Sequence, residues 1–335
     1  MTAGPTSQMA LEIAEMPDAA ARLAAPDARE RSRFVAAQLR GLGPRALVTV
    51  ARGSSDHAAT YLSYAVQATL KIPVASIGPS LSTIYGASLN MKGLAAVTIS
   101  QSGASHDIVR LSHSLKDNGG YVVALTNTIQ SPLSDIASDV IDISAGPEKA
   151  VAATKSFLNS VIAGLWLVAD WAEDLALAKA LEAFPDVLRS VETHNAMSEI
   201  VDILGDARQA VIIGRGAGLG LAGEFALKLI ETCAIHTSPY SGAEVLHGPS
   251  AILNDGFPVI ILKSGAGRGL EQALEQIRVQ SARVVPIEAE ASVGHPLVDP
   301  LLDLQRLYAL ANGLSLKRGL NPDNPRYLKK KTETL

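Results

Sequence analysis

The stretch AAVTISQSGASHDIVRLSHSLK, residues 95–116, decides how this chain folds. Its first six residues, Ala95–Ser100, are small, apolar and β-prone, and they predict a strand. From Ser105 to Lys116 the apolar residues recur at helical spacing. Between the two lies a short turn dense in serine. A strand, a tight turn and a helix in that order predict one step of a parallel sheet covered on both faces.

The same alternation extends in both directions. Ala46–Ala51, Val74–Ile77, Tyr121–Thr126 and Val140–Ile143 also read as strands, and Asp56–Leu70 reads as a helix. A largely helical segment runs from Val151 to about Glu199. Beyond it, Ala210–Gly214, Ala234–Ser238, Pro258–Lys263 and Arg283–Ile287 form a second set of strands. VTVARGSSDHAATY in the first set is echoed by VIIGRGAGLGLAGEF about 160 residues later. The 335 residues are enough for two cores, so the chain reads as two similar α/β units. The expected organisation is a helical lead-in over 1–27, a first unit over 28–175, a second over 195–320 and a tail over 321–335.

Composition narrows the partners. A net charge of −4 gives no basic excess for nucleic acid or an anionic membrane. Cys233 is the only cysteine, which excludes an intrachain disulfide and a metal site of several thiolates. The N-terminus lacks the basic and apolar regions of a signal peptide, and the apolar run Val161–Ala169 stops at Asp170, too short for a bilayer. A cytoplasmic protein without membrane or nucleic-acid partners is expected.

The turn Ser100-Gln101-Ser102-Gly103-Ala104-Ser105 places hydroxyls and free backbone N–H groups at a helix N-terminus. The helix dipole adds partial positive charge there. These features suit a phosphate dianion, although a serine N-cap alone would look the same. Gly53-Ser54-Ser55 forms a second turn of this kind, with Asp56 and His57 in the following helical turn. Both turns follow strands of one unit, at the end of a parallel sheet where ligands bind. Gly214-Arg215-Gly216-Ala217-Gly218-Leu219-Gly220 resembles a dinucleotide turn, but Leu219 stands where the third glycine is required. No carboxylate follows about 20 residues on at the end of a strand. It reads as a tight turn with close backbone packing.

Glu224, Lys228 and Glu231, spaced i, i+4, i+7, share one helical face. Such a triplet is often a solvated face with ion pairs. Here the loop Ser241–Pro249 follows, carrying Glu244 and His247 between glycines and a proline. A glutamate base, a lysine beside an oxyanion and a histidine for ring opening would suffice for aldose–ketose chemistry without a metal or other cofactor. His236 reads as structural. The tail NPDNPRYLKKKTETL is proline-rich and then basic, and as a chain end it defaults to a frayed terminus.

These residues resemble the SIS (sugar isomerase) family, in particular the isomerase half of glutamine–fructose-6-phosphate amidotransferase. The likeness runs from about Gln8 to the C-terminus through MALEIAEMPDA, the SQSG loop, PEKAVAATKSF, EFALKLIET, GAEVLHGP and DNPRYLKK. It implies two SIS modules, each a mainly parallel five-stranded sheet flanked by helices in a flavodoxin-like sandwich. It implies that Ser100, Gln101, Ser102 and Ser105 bind a sugar phosphate, with Gly53, Ser54 and Ser55 beside them. The backbone of Val151 would line the sugar site. Glu231 would carry the proton between C1 and C2, Lys228 would assist at the oxygen, and Glu224 would support both. His247 would open the ring from the neighbouring subunit, which implies a homodimer. Lys330 would form a Schiff base with the open ketose. Three lysines, 329 to 331, stand in a row where the family has one, and an ungapped match selects Lys330. Serine at position 105 replaces the usual threonine.

Nothing in the chain matches the glutaminase half of that family, and Cys233 is internal. Deamination of glucosamine 6-phosphate to fructose 6-phosphate and ammonia, as in the stand-alone SIS-type deaminases, is therefore the expected reaction. Ammonia-dependent synthesis or plain isomerisation of a related sugar phosphate would use the same residues. A sugar-phosphate-sensing regulator would need a DNA-binding segment, and the residues before Gln8 are too few for one.

Overall fold

The computed structural model describes residues 6–193, 198–264, 270–279 and 283–330. The chain packs as two compact units. One comprises Asp18–Glu148 and Lys155–Glu182; the other comprises the residues up to Pro17, Lys149–Thr154 and Ala183–Lys330.

The first unit carries β1 (Leu47–Val50), β2 (Val74–Ser76), β3 (Ala95–Ile99), β4 (Tyr121–Thr126) and β5 (Asp139–Asp142). All neighbours are parallel, in the order β2-β1-β3-β4-β5. β1 and β3 are buried at every residue, which is why LVTV and AAVTI carry no charge. The helix Lys155–Ala172 is buried along nearly its whole length and packs on the helix Ser54–Leu70. Gly164 permits that approach, since a Cβ there would lie 3.0 Å from Leu62 Cδ1. The apolar run at Val161–Ala169 is therefore a core helix. Each large aliphatic side chain buried along it contributes roughly 1.5–3 kcal/mol.

The second unit carries β6 (Gln209–Gly214), β7 (His236–Ser241), β8 (Pro258–Leu262) and β9 (Arg283–Ile287), all parallel, in the order β7-β6-β8-β9. This repeats the order β2-β1-β3-β4 of the first sheet. A fifth strand, expected from the family likeness, is absent among the described residues. After β9 the chain continues into a 3-10 turn, Asp299–Asp303, and the helix Leu304–Lys317. β7 begins at His236 rather than Ala234. Ala234 adopts φ 53° and ends the helix Gly218–Cys233, its N–H bonding the Leu229 carbonyl, so it cannot extend into the sheet. Pro239 and Pro286 both fall in edge strands, where a missing N–H removes no ladder bond to a second neighbour.

The tail is tied down as far as Lys330. The Asp323 carboxylate accepts the Gln8 and Met9 N–H groups at 2.8 and 2.7 Å, at the open end of the helix Gln8–Ala14. The Val151 N–H donates to the Asp323 carbonyl at 3.0 Å. No helix among the described residues is long and apolar enough to cross a membrane.

Candidate active site

The first unit brings its two serine turns side by side. Val50 pairs with Thr98 in the β1–β3 ladder, so Gly53-Ser54-Ser55 and Ser100–Ser105 leave adjacent strands at the same edge of the sheet. Gly53 holds φ 56° and ψ −134°, a conformation reserved to glycine, and its carbonyl accepts the Asp56 N–H at 2.9 Å to start the helix Ser54–Leu70. Gly103 is fixed twice. Its φ is 59°, and a Cβ would lie 2.2 Å from Ser131 Oγ. Its N–H donates to Ser100 Oγ at 3.2 Å, while Ala104 N–H donates to Ser102 Oγ at 3.3 Å. Ser105 caps the helix His106–Asp117 by its backbone, and its hydroxyl makes no capping bond. Ser55, Ser102 and Ser105 are all partly exposed, and each lies at or beside a helix N-terminus of the kind suited to an anion. Gln101 is held by its carbonyl, which accepts the Asn127 N–H at 3.1 Å. Burial raises the carboxyl pKa of Asp56 above its usual value, and the nearby Arg52 pulls it back.

The second unit assembles the acid–base helix. Lys228 is fully buried, with Nζ 2.5 Å from Glu231 Oε2 and 3.6 Å from Glu224 Oε1. Glu224 is also fully buried and accepts the Tyr308 hydroxyl at 2.9 Å. Glu231 differs from both, for its side chain is 20% exposed. It lines a cavity of about 430 Å³ together with Thr232, Asn321, Asn324, Arg326 and Tyr327. Thus the i, i+4, i+7 face is an internal charge network with one carboxylate reaching a cavity formed by the tail. Tyr308 lies 84 residues from Glu224 and belongs to no local pattern, so sequence reading missed it.

The remaining candidates are spread out. His247 ends the 3-10 turn Glu244–His247, is exposed, and makes no hydrogen bond to Glu224, Lys228 or Glu231. Lys330 Nζ donates to the Ala150 carbonyl at 2.7 Å, next to Val151. Lys329 is exposed, and Lys331 lies outside the described residues. Glu12, fully buried, supports this segment by accepting the Lys149 N–H at 2.5 Å and the Ala150 N–H at 3.3 Å. Sequence reading missed that role as well, since the partners are 137 and 138 residues away.

Two alternatives are closed. Cys233 is buried, and burial pushes its thiol up to about 11 against the opposing pull of Thr232 and Arg318, which disfavours the reactive thiolate. At Gly214 a Cβ would lie 2.3 Å from the Gly218 carbonyl oxygen, so this glycine admits the chain's own backbone. Among the described residues, no group of three or more His, Cys, Asp or Glu side chains could hold a metal ion.

The SIS domain pattern matches residues 43–169 and 203–293. The chain belongs to the SIS domain family. It is 33% identical over 96% of its length to a glutamine–fructose-6-phosphate aminotransferase (isomerizing) of Pyrobaculum aerophilum, of which the match covers 56%. The chain thus spans just over half of that SIS relative. A crystal structure of a candidate phosphosugar isomerase from Silicibacter pomeroyi DSS-3 shares 40% identity, covers 95% of this chain and 100% of its own, and superposes with a TM-score of 0.89. The glucosamine-6-phosphate deaminase of Thermotoga maritima shares the fold at a TM-score of 0.74, with 19% identity over 98% of this chain and 100% of its own.

Proposed function

We propose that this SIS protein is an amino-sugar-phosphate deaminase that converts glucosamine 6-phosphate and water to fructose 6-phosphate and ammonia. One observation carries the reading. Of the three charged groups on the acid–base helix, Glu231 alone combines contact with the lysine and access to a cavity. A single carboxylate that can exchange a proton with a substrate, backed by a buried ammonium, is what transfer between adjacent carbons requires.

The serine turns take the phosphate by hydroxyl and backbone N–H hydrogen bonds. His247 opens the sugar ring. Glu231 removes the C2 proton of the open aldehyde and returns it to C1, while the Lys228 ammonium stabilises the negative charge that develops on oxygen. The product is an imine at C2. The Lys330 amine adds to that carbon and ammonia leaves; water then releases the ketose and restores the amine. The bond from Lys330 to the carbonyl beside Val151 supports Lys330, rather than Lys329, in this role. Exposure of His247 supports its use by a second copy, and hence a homodimer.

Purified protein mixed with glucosamine 6-phosphate should release ammonia and fructose 6-phosphate in equal amounts. Glu231→Gln should abolish release and keep phosphate binding. Mixing the inactive Glu231→Gln and His247→Ala variants should restore activity that neither has alone, because a mixed dimer rebuilds one complete site. Turnover of galactosamine or fructosamine phosphates, with silence on glucosamine 6-phosphate, would reject this substrate. Isomerisation without loss of nitrogen would reject deamination.

A further inference from the structure

We infer that Arg52 is a substrate-binding residue, the cation that completes the phosphate site and holds the two serine turns to one anion. The inference rests on the sugar-phosphate reading above. Serine hydroxyls and backbone amides supply hydrogen bonds but no net charge. The surroundings are worse than neutral, because each helix that starts at a serine turn carries an aspartate in its first turn, Asp56 in one and Asp107 in the other. A phosphate dianion arriving there meets two carboxylates and needs a fixed positive charge to offset them.

Arg52 is placed to supply it. It follows β1 by two residues, and the β1–β3 ladder, which pairs Val50 with Thr98, sets it opposite Ser100 when carried two residues further. Its Nε lies 3.1 Å from Asp107 Oδ2, and Asp107 is 1% exposed. The other Asp107 oxygen accepts the Ile108 N–H at 2.9 Å, so this carboxylate is itself immobile. The Arg52 side chain is 54% exposed, and its two terminal nitrogens make no hydrogen bond among the described residues. Tying the guanidinium by Nε leaves its paired Nη edge open, the edge that grips phosphate oxygens in a fork. Arg52 also acts electrostatically on Asp56, which puts its charge near both turns.

The test measures binding of inorganic phosphate to the full chain by calorimetry at several salt concentrations, beside thermal unfolding. Arg52→Gln should weaken phosphate by about tenfold to a hundredfold, the range of a lost charged hydrogen bond. Its affinity should also fall less steeply with salt than that of the wild type. Arg52→Lys should recover only part of the loss, because an ammonium cannot bond Asp107 and present a fork together. Arg52→Gln combined with Asp107→Asn removes one charge of each sign, leaves no buried carboxylate without its partner and should unfold like the wild type; lacking the guanidinium fork, it should still bind phosphate more weakly than Asp107→Asn alone. Phosphate affinity in that double variant equal to that of Asp107→Asn alone, or wild-type affinity and salt dependence in a folded Arg52→Gln protein, would overturn the assignment of Arg52. Failure of the wild type itself to bind phosphate or sugar phosphate would overturn the site and Arg52 with it.

Discussion

Replacing Lys228 with methionine separates the two roles of the buried charge network. The side chains have similar volume, so the change removes an ammonium and little packing. In the wild type that ammonium lies 2.5 Å from Glu231 and 3.6 Å from Glu224, and both Lys228 and Glu224 are fully buried. At an effective dielectric constant of about 20, opposite unit charges 3.6 Å apart attract by about 5 kcal/mol, a ceiling on what Glu224 loses. Orphaning one partner of a buried pair costs about 3–5 kcal/mol, and we expect that loss in urea unfolding followed by circular dichroism. Glu224→Gln together with Lys228→Met removes both charges. Glutamine can still accept the Tyr308 hydroxyl, so the double variant should regain most of the lost stability. It should nevertheless remain without turnover, since Glu231 has lost its ammonium. A Lys228→Met protein within about 1 kcal/mol of the wild type would refute the network. A double variant as unstable as the single, or one that is folded and active, would refute the reasoning equally.

Other expectations concern separate parts of the molecule. Gly103→Ala should lose phosphate affinity and about 2–4 kcal/mol of stability in urea unfolding, from left-handed strain plus the clash with Ser131. Gly53→Ala meets no atom within 4 Å and should show the strain alone; equal losses in the two would remove the clash from the account. A stop after Leu328 should end turnover while leaving inorganic phosphate binding intact, and a fully active truncate would remove Lys330 from the chemistry. Burial, aided by repulsion from Glu290, pushes the Asp303 carboxyl up to about 6 from 3.8 despite Ser264 and Arg306. The native state therefore binds this proton more tightly than the unfolded chain. Its contribution is present below pH about 4 and is lost as pH rises through about 6, a change of about 3 kcal/mol. Asp303→Asn should remove this group's loss of stability with rising pH across that window in matched urea titrations, and an unchanged profile would count against it.

The legible parts of this chain are those whose partners are near in sequence. Strand, serine turn and helix at 95–116 lie within one local repeat, and the family likeness of the SQSG loop points to the same place. The triplet Glu224, Lys228 and Glu231 is likewise contained in one helix. Tyr308, Glu12 and Asp323 escaped because each acts over 84 residues or more, on Glu224, on the 149–150 backbone and on the first turn of the N-terminal helix. Spacing rules carry no information about such pairs. The start of β7 was misplaced for a local reason: Ala234 in a left-handed conformation looks no different in sequence from an alanine in a strand.

The two units share a strand order but carry their polar groups at different points along the helix that follows the turn. In the first, the helix N-termini stay open, with Ser105 leaving its hydroxyl uncommitted and Gly53 turning the chain without any atom near its missing Cβ. In the second, the aligned glycine, Gly216, holds a similar φ of 57° with no atom within 4 Å of its missing Cβ, while Gly214, two residues earlier, packs against the Gly218 carbonyl. Its chemistry-bearing residues lie further along, at positions 224 to 231, where the helix is buried and a lysine can be held between carboxylates. The difference fits the two tasks proposed for these units. An anion is held by dipoles and amides that must remain accessible, whereas a proton-transferring carboxylate gains from an ammonium kept out of water, where its field is screened least.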